Sequence, residues 1–347
     1  MKRATIKDVA ASAATVSRAL DDRPEISSET KERVRAACHR LGYVPNAAAR
    51  GLTGRQTHII GMVVPDVSNP YYSGMATAIE HRAAQAGYRV LLSNSMRKEE
   101  RELQGVGSFL ARQVDGLLIA AISLQSQAKH GAMIGDLPCV YIGVNHGEEC
   151  SYVMSDNNTG AYEAARYLLS LGHRDILFFG GRDASRTREL RLRGFFRALA
   201  EEATLLRQGL PEEGVEGRQI TAPKDVGMLR QWSYEAALRF FRSQPLPDAI
   251  FAYSDITALK IMEAAEDCGI HIPEDVSLLG YDNISFASLP RIDLTTVSQR
   301  KFHAGEIAVG RLLEQIRGSR ERTVDLLQPE LIVRSTCIQK TERRTGV

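Results

Sequence analysis

The feature that most constrains this chain is a repeated alternation of short apolar runs with helix-length stretches. Runs of strand length stand at 59–64 (IIGMVV), 90–94 (VLLSN), 116–121 (GLLIAA) and 139–143 (CVYIG). Between the first three lie stretches long enough for helices, one of which sets Tyr72, Met75, Ile79 and Ala83 at helical spacing. The alternation restarts with ILFFGG at 176, AIFAYS at 249 and VSLLGYDN at 276. Continuous apolar runs are strands buried on both faces, as in parallel sheets covered by crossover helices. Two such blocks predict two similar α/β lobes rather than one large sheet. Residues 203–231, with Gly209, Pro211, Gly214, Gly217 and Pro223, read as loop-rich. Two open parallel sheets side by side leave a cleft at the carboxyl ends of their strands, where a small polar ligand binds.

The segment ahead of this alternation is different. Ile6 to Leu20 is Ala-rich and free of Gly and Pro, which predicts helix. After Asp21-Asp22-Arg23-Pro24, Ser27 is placed to cap a second helix reaching about Leu41, with Gly42 ending it. Val34, Ala37, Cys38 and Leu41 give that helix its apolar face. Charge separates the regions too. The whole chain of 347 residues is +2, but residues 1–60 hold 11 Lys/Arg against 6 Asp/Glu, and the remainder 33 against 36. A basic helical head on a slightly acidic body suits contact with an anionic polymer.

Other classes are excluded. No apolar stretch nears the ~20 residues that span a bilayer, so no membrane association is expected. Lys2 and Arg3 precede an Ala11-Ser12-Ala13 that imitates a signal cleavage site, but Lys7 and Asp8 interrupt the ~7–15 apolar residues an export signal needs. The head is therefore expected to be retained in the cytoplasm. Five scattered cysteines without CxxC spacing argue against a disulfide scaffold or zinc cluster and fit a reducing compartment. The sequence carries no GxxxxGK[ST], HExxH or GxSxG, and no GxGxxG after a strand. His173-Arg174-Asp175 and Gly180-Gly181 read as turns flanking the ILFF strand. The expectation is a binding protein without cofactor, metal or catalytic residues.

Polar residues at the strand ends are the ligand candidates: Asp66, Ser68, Asn69, Tyr71 and Tyr72, then Ser185, Thr187 and Arg191, then Ser254 and Asp255, then Asp282 and Asn283. Hydroxyls, carboxylates, an arginine and flat aromatic faces suit a sugar-like or other polar metabolite. Singly, each also reads as a helix cap or solvated loop residue, and Asp255 as the cap of a helix at 256.

Along nearly its whole length the chain resembles the LacI family of bacterial transcription regulators. The matching segments are TIKDVA (5–10), TVSR (15–18), ISSETKERV (26–34), LGYVPNAAARGL (41–52), IIGMVVPDVSNPYY (59–72), VDGLLIA (114–120), YLLSLGHRDI (167–176), RLRGF (191–195), DVSLLGYDN (275–283), LTTV (294–297) and PELIVRST (329–336). The resemblance implies a helix-turn-helix head over 1–44, a hinge helix and linker over 45–57, and a two-lobed, periplasmic-binding-protein-like core over 58–347 that dimerises. It implies a repressor on a palindromic operator, with a small effector altering the angle between the lobes. It places Thr15, Ser17 and Arg18 in the recognition helix, and Asn46, Ala49, Arg50 and Leu52 in or beside the hinge helix, where the leucine wedges a minor-groove step. Matching effector positions are Tyr71, Tyr72, Ser185, Thr187, Arg191, Ser254 and Asp282. Gly143 stands where many relatives carry an aspartate for ligand hydroxyls.

One departure falls in the head. The family usually has about eight residues between DVA and TVSR; this chain has only Ala11, Ser12, Ala13 and Ala14, and lacks the turn glycine. Without a breaker, Ile6 to Leu20 has the local chemistry of one helix. Losing four residues removes roughly 400° of helix, so the apolar stripe keeps its face while the elbow goes. Either DNA binding is impaired, leaving a cytoplasmic small-molecule binding protein, or a shortened first helix leaves a usable motif.

Overall fold

The computed structural model describes residues 13–20, 22–43, 56–121, 123–143, 150–182, 185–207, 218–222 and 229–340. Contacts divide the chain into two compact units, Met1–Thr57 and His58–Val347.

In the first unit, helix α1 (Ala13–Leu20) precedes α2 (Ser28–Leu41). Ser27 has extended backbone and its hydroxyl accepts from the Thr30 amide at 3.3 Å, satisfying a donor the first helical turn leaves unpaired. At the other end Gly42 takes φ 62°, and its amide reaches the His39 carbonyl. Val16 and Ala19 of α1 pack on Val34 and Cys38 of α2, with Leu20, Ile26 and Tyr43 at the margin. Asp22 lies between the helices and pairs with Lys31 and Arg35, each at 3.2 Å. Residues 1–12, and so the first part of the helix expected from Ile6, lie outside the described residues.

The second unit holds two six-stranded sheets. In the first lobe β1 (Ile59–Val64) is flanked by β2 (Arg89–Asn94) and β3 (Gly116–Ile119), followed outward by β4 (Cys139–Ile142), β5 (Ser151–Ser155) and β11 (Val324–Leu327). Every pairing is parallel. In the second lobe β6 (Ile176–Arg182) lies between β7 (Arg218–Ala222) and β8 (Ala249–Ala252), then come β9 (Ser277–Tyr281), β10 (Thr295–Ser298) and an antiparallel edge, β12 (Glu330–Ile332). Parallel neighbours need crossovers, and helices supply them on both faces. In the first lobe α3 (Pro70–Gln85) and α10 (Lys301–Ile316) cover one face, α4 (Glu99–Ala111) and α5 (Leu124–Ile134) the other. In the second, α6 (Asn157–Ser170) and α7 (Arg186–Arg207) face α8 (Leu229–Ser243) and α9 (Asp255–Asp267) across the sheet.

Aromatic rings fill one face of the second lobe's sheet. Phe178 lies 5.6 Å from Phe195 and 5.3 Å from Phe251, all fully buried. Each such side chain contributes about 1.5–3 kcal/mol by leaving water. A Cβ on Gly194 would sit 2.0 Å from the Asn158 carbonyl oxygen, so α7 approaches α6 at backbone distance only because that position is glycine.

The structure sharpens two of these readings. Residues 203–231 are not all loop: α7 continues to Arg207, β7 occupies 218–222 and α8 begins at Leu229. Gly217 and Pro223 are the sequence neighbours of that strand, since such residues punctuate the ends of elements as well as loops. Nor is each lobe one contiguous repeat. After β5 the chain crosses to α6, after β10 it crosses back to α10, and after β11 it crosses again to β12. Ala304, Ala308, Val309, Leu312 and Leu313 of α10 belong to the core of the first lobe.

Candidate effector site and nucleic-acid face

Parallel strands direct their carboxyl ends, and the loops that follow, to one side of each sheet. In the second lobe those loops place Tyr253 after β8, Asp282 after β9 and Gln299 after β10, with Asn157 opening α6. Arg191, one turn into α7, reaches across all of them. It is buried, and its Nε donates to Asn157 Oδ1 at 2.9 Å. Nη1 donates to the Tyr253 carbonyl, and Nη2 lies 3.5 Å from Asp282 Oδ1. The guanidinium carbon sits 3.6 Å from the centroid of the Tyr281 ring and 4.8 Å from that of Tyr253. Burial alone would favour losing the Arg191 charge, but Asp282 and the tyrosines outweigh it and hold its pKa above the ordinary value.

Asp282 is the counterpart. Gln299 Nε2 donates to its Oδ1 at 2.6 Å, and its own amide donates to the Val297 carbonyl at 2.8 Å. Burial pushes its carboxyl up, while Arg191, Gln299 and Lys301 pull it down. Its backbone has φ 116° and that of Asn283 φ 46°, a left-handed geometry that a non-glycine residue holds only when its surroundings fix it. A buried acid–base pair held in place by neighbouring donors and acceptors is preorganised for a polar ligand.

The first lobe contributes Tyr71 and Tyr72, which open α3 behind Pro70 and lie edge to face at 5.1 Å. Tyr71 packs against the cores of both lobes, so it spans their junction. Burial pushes both phenols up, and Asp282 adds to the effect in each. Four of the expected residues, Tyr71, Tyr72, Arg191 and Asp282, therefore converge. Thr187 lies one helical turn before Arg191, on the same face of α7.

The other expected positions are occupied differently. The Ser254 hydroxyl caps α9, accepting from the Thr257 amide at 3.3 Å, and Ser185 Oγ accepts from the Arg188 amide at 3.4 Å. Asp66 is engaged by the Ser68 amide at 3.0 Å, and Asn69 caps α3. Asp255 is not the expected cap: it is fully buried, accepts from the Ile284 amide at 2.8 Å and from the Thr296 hydroxyl, and burial pushes its pKa up to about 7. Gly143 has φ 107°, a conformation that the aspartate of the relatives would find strained. The sequence reading missed Asn157, Tyr253, Gln299 and Lys301. Three follow or precede a strand run, which is the one local signal that could have found them.

In the head, Val16 and Ala19 face the core, leaving Arg18 exposed and Thr15 and Ser17 partly exposed on α1. Asn46, Ala49, Arg50 and Leu52 lie outside the described residues. No helix among the described residues is long and apolar enough to cross a membrane.

Comparison with known proteins decides between a general binding protein and a regulator. Residues 5–46 match the family of bacterial regulatory proteins of the lacI type, and residues 165–337 match a periplasmic binding protein-like domain. The HTH-type transcriptional repressor PurR of Pasteurella multocida is 32% identical over 340 residues, 96% of this chain and 98% of that protein. This chain belongs to the LacI family. Among solved structures, the Lac repressor dimer bound to operator and the anti-inducer ONPF aligns with a TM-score of 0.82 at 26% identity, covering 97% of this chain and all of that one. The complex of the transcriptional regulator CelR with cellobiose aligns at 0.68 and 26% identity, covering 96% of this chain and all of that one. As a LacI-family member the chain is a DNA-binding transcription regulator that responds to a small molecule, and the relatives it matches are regulators rather than enzymes.

Proposed function

We propose that this protein is a cytoplasmic homodimeric repressor whose operator affinity is set by a small, hydroxyl-rich metabolite held between the lobes, without catalysis. The observation that carries the reading is the buried Arg191–Asp282 pair. Its donors and acceptors end at the strand termini beside Tyr71 and Tyr72 of the other lobe. A ligand hydroxyl bridging guanidinium and carboxylate gains charge-assisted hydrogen bonds, and the tyrosine faces bury its ring. The neighbour named for its complex with cellobiose supports a sugar-like class, and the one named for an anti-inducer supports control by a small effector. Thr187 lines the same helix face, while Ser185 and Ser254 act through the caps they form. In the head, Arg18 is the exposed cation of α1, with Thr15 and Ser17 beside it. Asn46, Ala49, Arg50 and Leu52 are assigned to the hinge on the resemblance alone.

A thermal-shift screen of the purified chain against sugars, polyols and nucleobases tests the effector reading. A hit that stabilises the wild type and is lost in Arg191→Ala supports it; a hit retained at full strength in both Arg191→Ala and Asp282→Ala overturns the assignment. Operator selection from random duplexes, repeated with Gly-Val-Ser-Val inserted after Ala13, tests the head. Selection of a palindrome by both forms supports a usable shortened motif. Selection only by the lengthened form makes this chain a ligand-binding protein with an impaired head.

A further inference from the structure

Lys301 opens α10 at the point where the chain leaves the sheet of the second lobe for the core of the first. The turn is made at Arg300, with φ 51°, and no side chain caps the helix there. Lys301 is buried, and its ammonium faces no carboxylate at bonding distance among the described residues. Instead Nζ donates to the Asp282 carbonyl at 3.4 Å and to the Asn283 carbonyl. Burial pushes its pKa down, and the fields of Asp282 and Asp255 oppose that loss. The aliphatic stem lies on α3: a Cβ at Gly74 would meet Lys301 Cε at 3.1 Å and Cδ at 3.5 Å. Gly74 is two residues beyond Tyr72. One side chain thus touches the helix that carries the tyrosines and the strained backbone that carries the effector carboxylate.

The two faces of that backbone look in different directions. The Asp282 carboxylate meets Arg191 and Gln299, whereas Lys301 and Asn283 line a separate outer pocket of about 820 Å³. Asp282, Arg191, Tyr71 and Tyr72 do not line that pocket.

We infer that Lys301 is a positioning residue that straps α3 of the first lobe to the Asp282–Asn283 turn of the second, so that any ligand pulling on the Asp282 carboxylate also moves the first lobe. Gly74 keeps the corridor open for the lysine stem. The ammonium pays for its burial only while both carbonyls are in place, so the strap has one well-defined setting. The inference deepens the effector reading given above and rests on it for its purpose, but the strap itself is a property of the ligand-free chain.

Hydrogen exchange of the full-length chain, read by mass spectrometry without ligand or DNA, tests it. The amides of Asn283 and Ile284, which donate to Thr296 Oγ1 and Asp255 Oδ2, report on the turn; those of residues 71–75 report on α3. Lys301→Met keeps the stem and removes the donors, and is expected to speed exchange at both places by roughly tenfold while β3 and β8 stay unchanged. Gly74→Ala, which displaces the stem, is expected to give the same pattern more weakly, and the double variant to be no faster than Lys301→Met alone. Unchanged exchange at the turn in Lys301→Met overturns the strap. So does acceleration at the turn alone with α3 unmoved, or uniform acceleration across both lobes, which reports general loosening. Should Lys301→Met not fold, Gly74→Ala alone must show the paired local loosening. None of these outcomes depends on finding an effector, so a failed ligand screen and a failed strap remain distinguishable.

Discussion

Each lobe buries ionisable side chains where apolar ones would pack, and one from each gives a contrast: a base whose pKa falls and an acid whose pKa rises. The first lobe buries a base: His130 of α5 lies 3.2 Å from Glu102 of α4, both fully enclosed, and burial pushes the imidazole down to about 4. The second buries an acid, Asp255, pushed up to about 7 although two donors serve it. Neither ring nitrogen of His130 makes a well-aligned hydrogen bond among the described residues. The difference teaches where polarity serves the site. Asp255 holds the Ile284 amide and β10, which frame Asp282, whereas the His130–Glu102 pair joins two helices on the far side of a sheet. Closeness of an acid and a base does not by itself mark a functional pair; the surrounding donors do.

The largest test of this contrast is Arg191→Ala. It leaves Asp282 buried without its guanidinium, and urea unfolding is expected to show a loss of about 3–5 kcal/mol, as for one partner removed from a buried pair. A loss no larger than that of an exposed arginine would put Arg191 on a par with a surface ion pair.

The next test uses pH. A group whose folded pKa is depressed lends stability above its unfolded value, lost as pH falls; for His130 the loss runs from about 6.5 down to about 4. A group whose folded pKa is raised lends stability at low pH that is lost as pH rises; for Asp255 the loss runs from about 3.8 up to about 7. Over the shared window the two oppose each other, so the wild-type dependence contains a cancellation. His130→Gln is expected to unmask stability that falls with rising pH, and Asp255→Asn stability that rises with it. Urea midpoints across this window that run parallel in all three proteins would remove the contrast.

The smallest effects come from two strand glycines. Added Cβ atoms would meet the Phe109 ring at 2.6 Å from Gly61, and Asp255 Oδ1 at 2.3 Å from Gly280. Each alanine is expected to cost about 1–3 kcal/mol through overpacking. Only Gly280→Ala is expected to shift the pH profile toward that of Asp255→Asn, because only it displaces a titrating group.

Much of this was legible in the sequence wherever the signal was local. IIGMVV coincides with β1, Ser27 and Gly42 bound α2, and Arg191 and Asp282 stand where strand ends and family motifs place them. What escaped depends on distant partners. Asn157 and Gln299 look like ordinary loop residues until the two sheets bring them to Arg191 and Asp282. β11 alternates in burial like a solvent-side strand, and no local pattern says that it joins β5, more than 150 residues earlier in the chain. Asp255 sits at a position that capping chemistry explains as well as burial does. Periodicity reports which face is apolar, not what that face meets.

The three crossings between lobes have a consequence for biosynthesis. The first lobe is translated early, yet α10 and β11 reach it only after β6 to β10 of the second lobe have emerged. Until then Ile60, Met62, Met75 and Ile79 lack the helix that covers them, and the outer edge of β5 is unpaired. A nascent chain stalled before residue 301 therefore carries an adhesive, half-dressed sheet that chaperones would recognise. Ordered synthesis alone does not finish the amino-terminal lobe. The ribosome must release its last strands before either half is safe from aggregation.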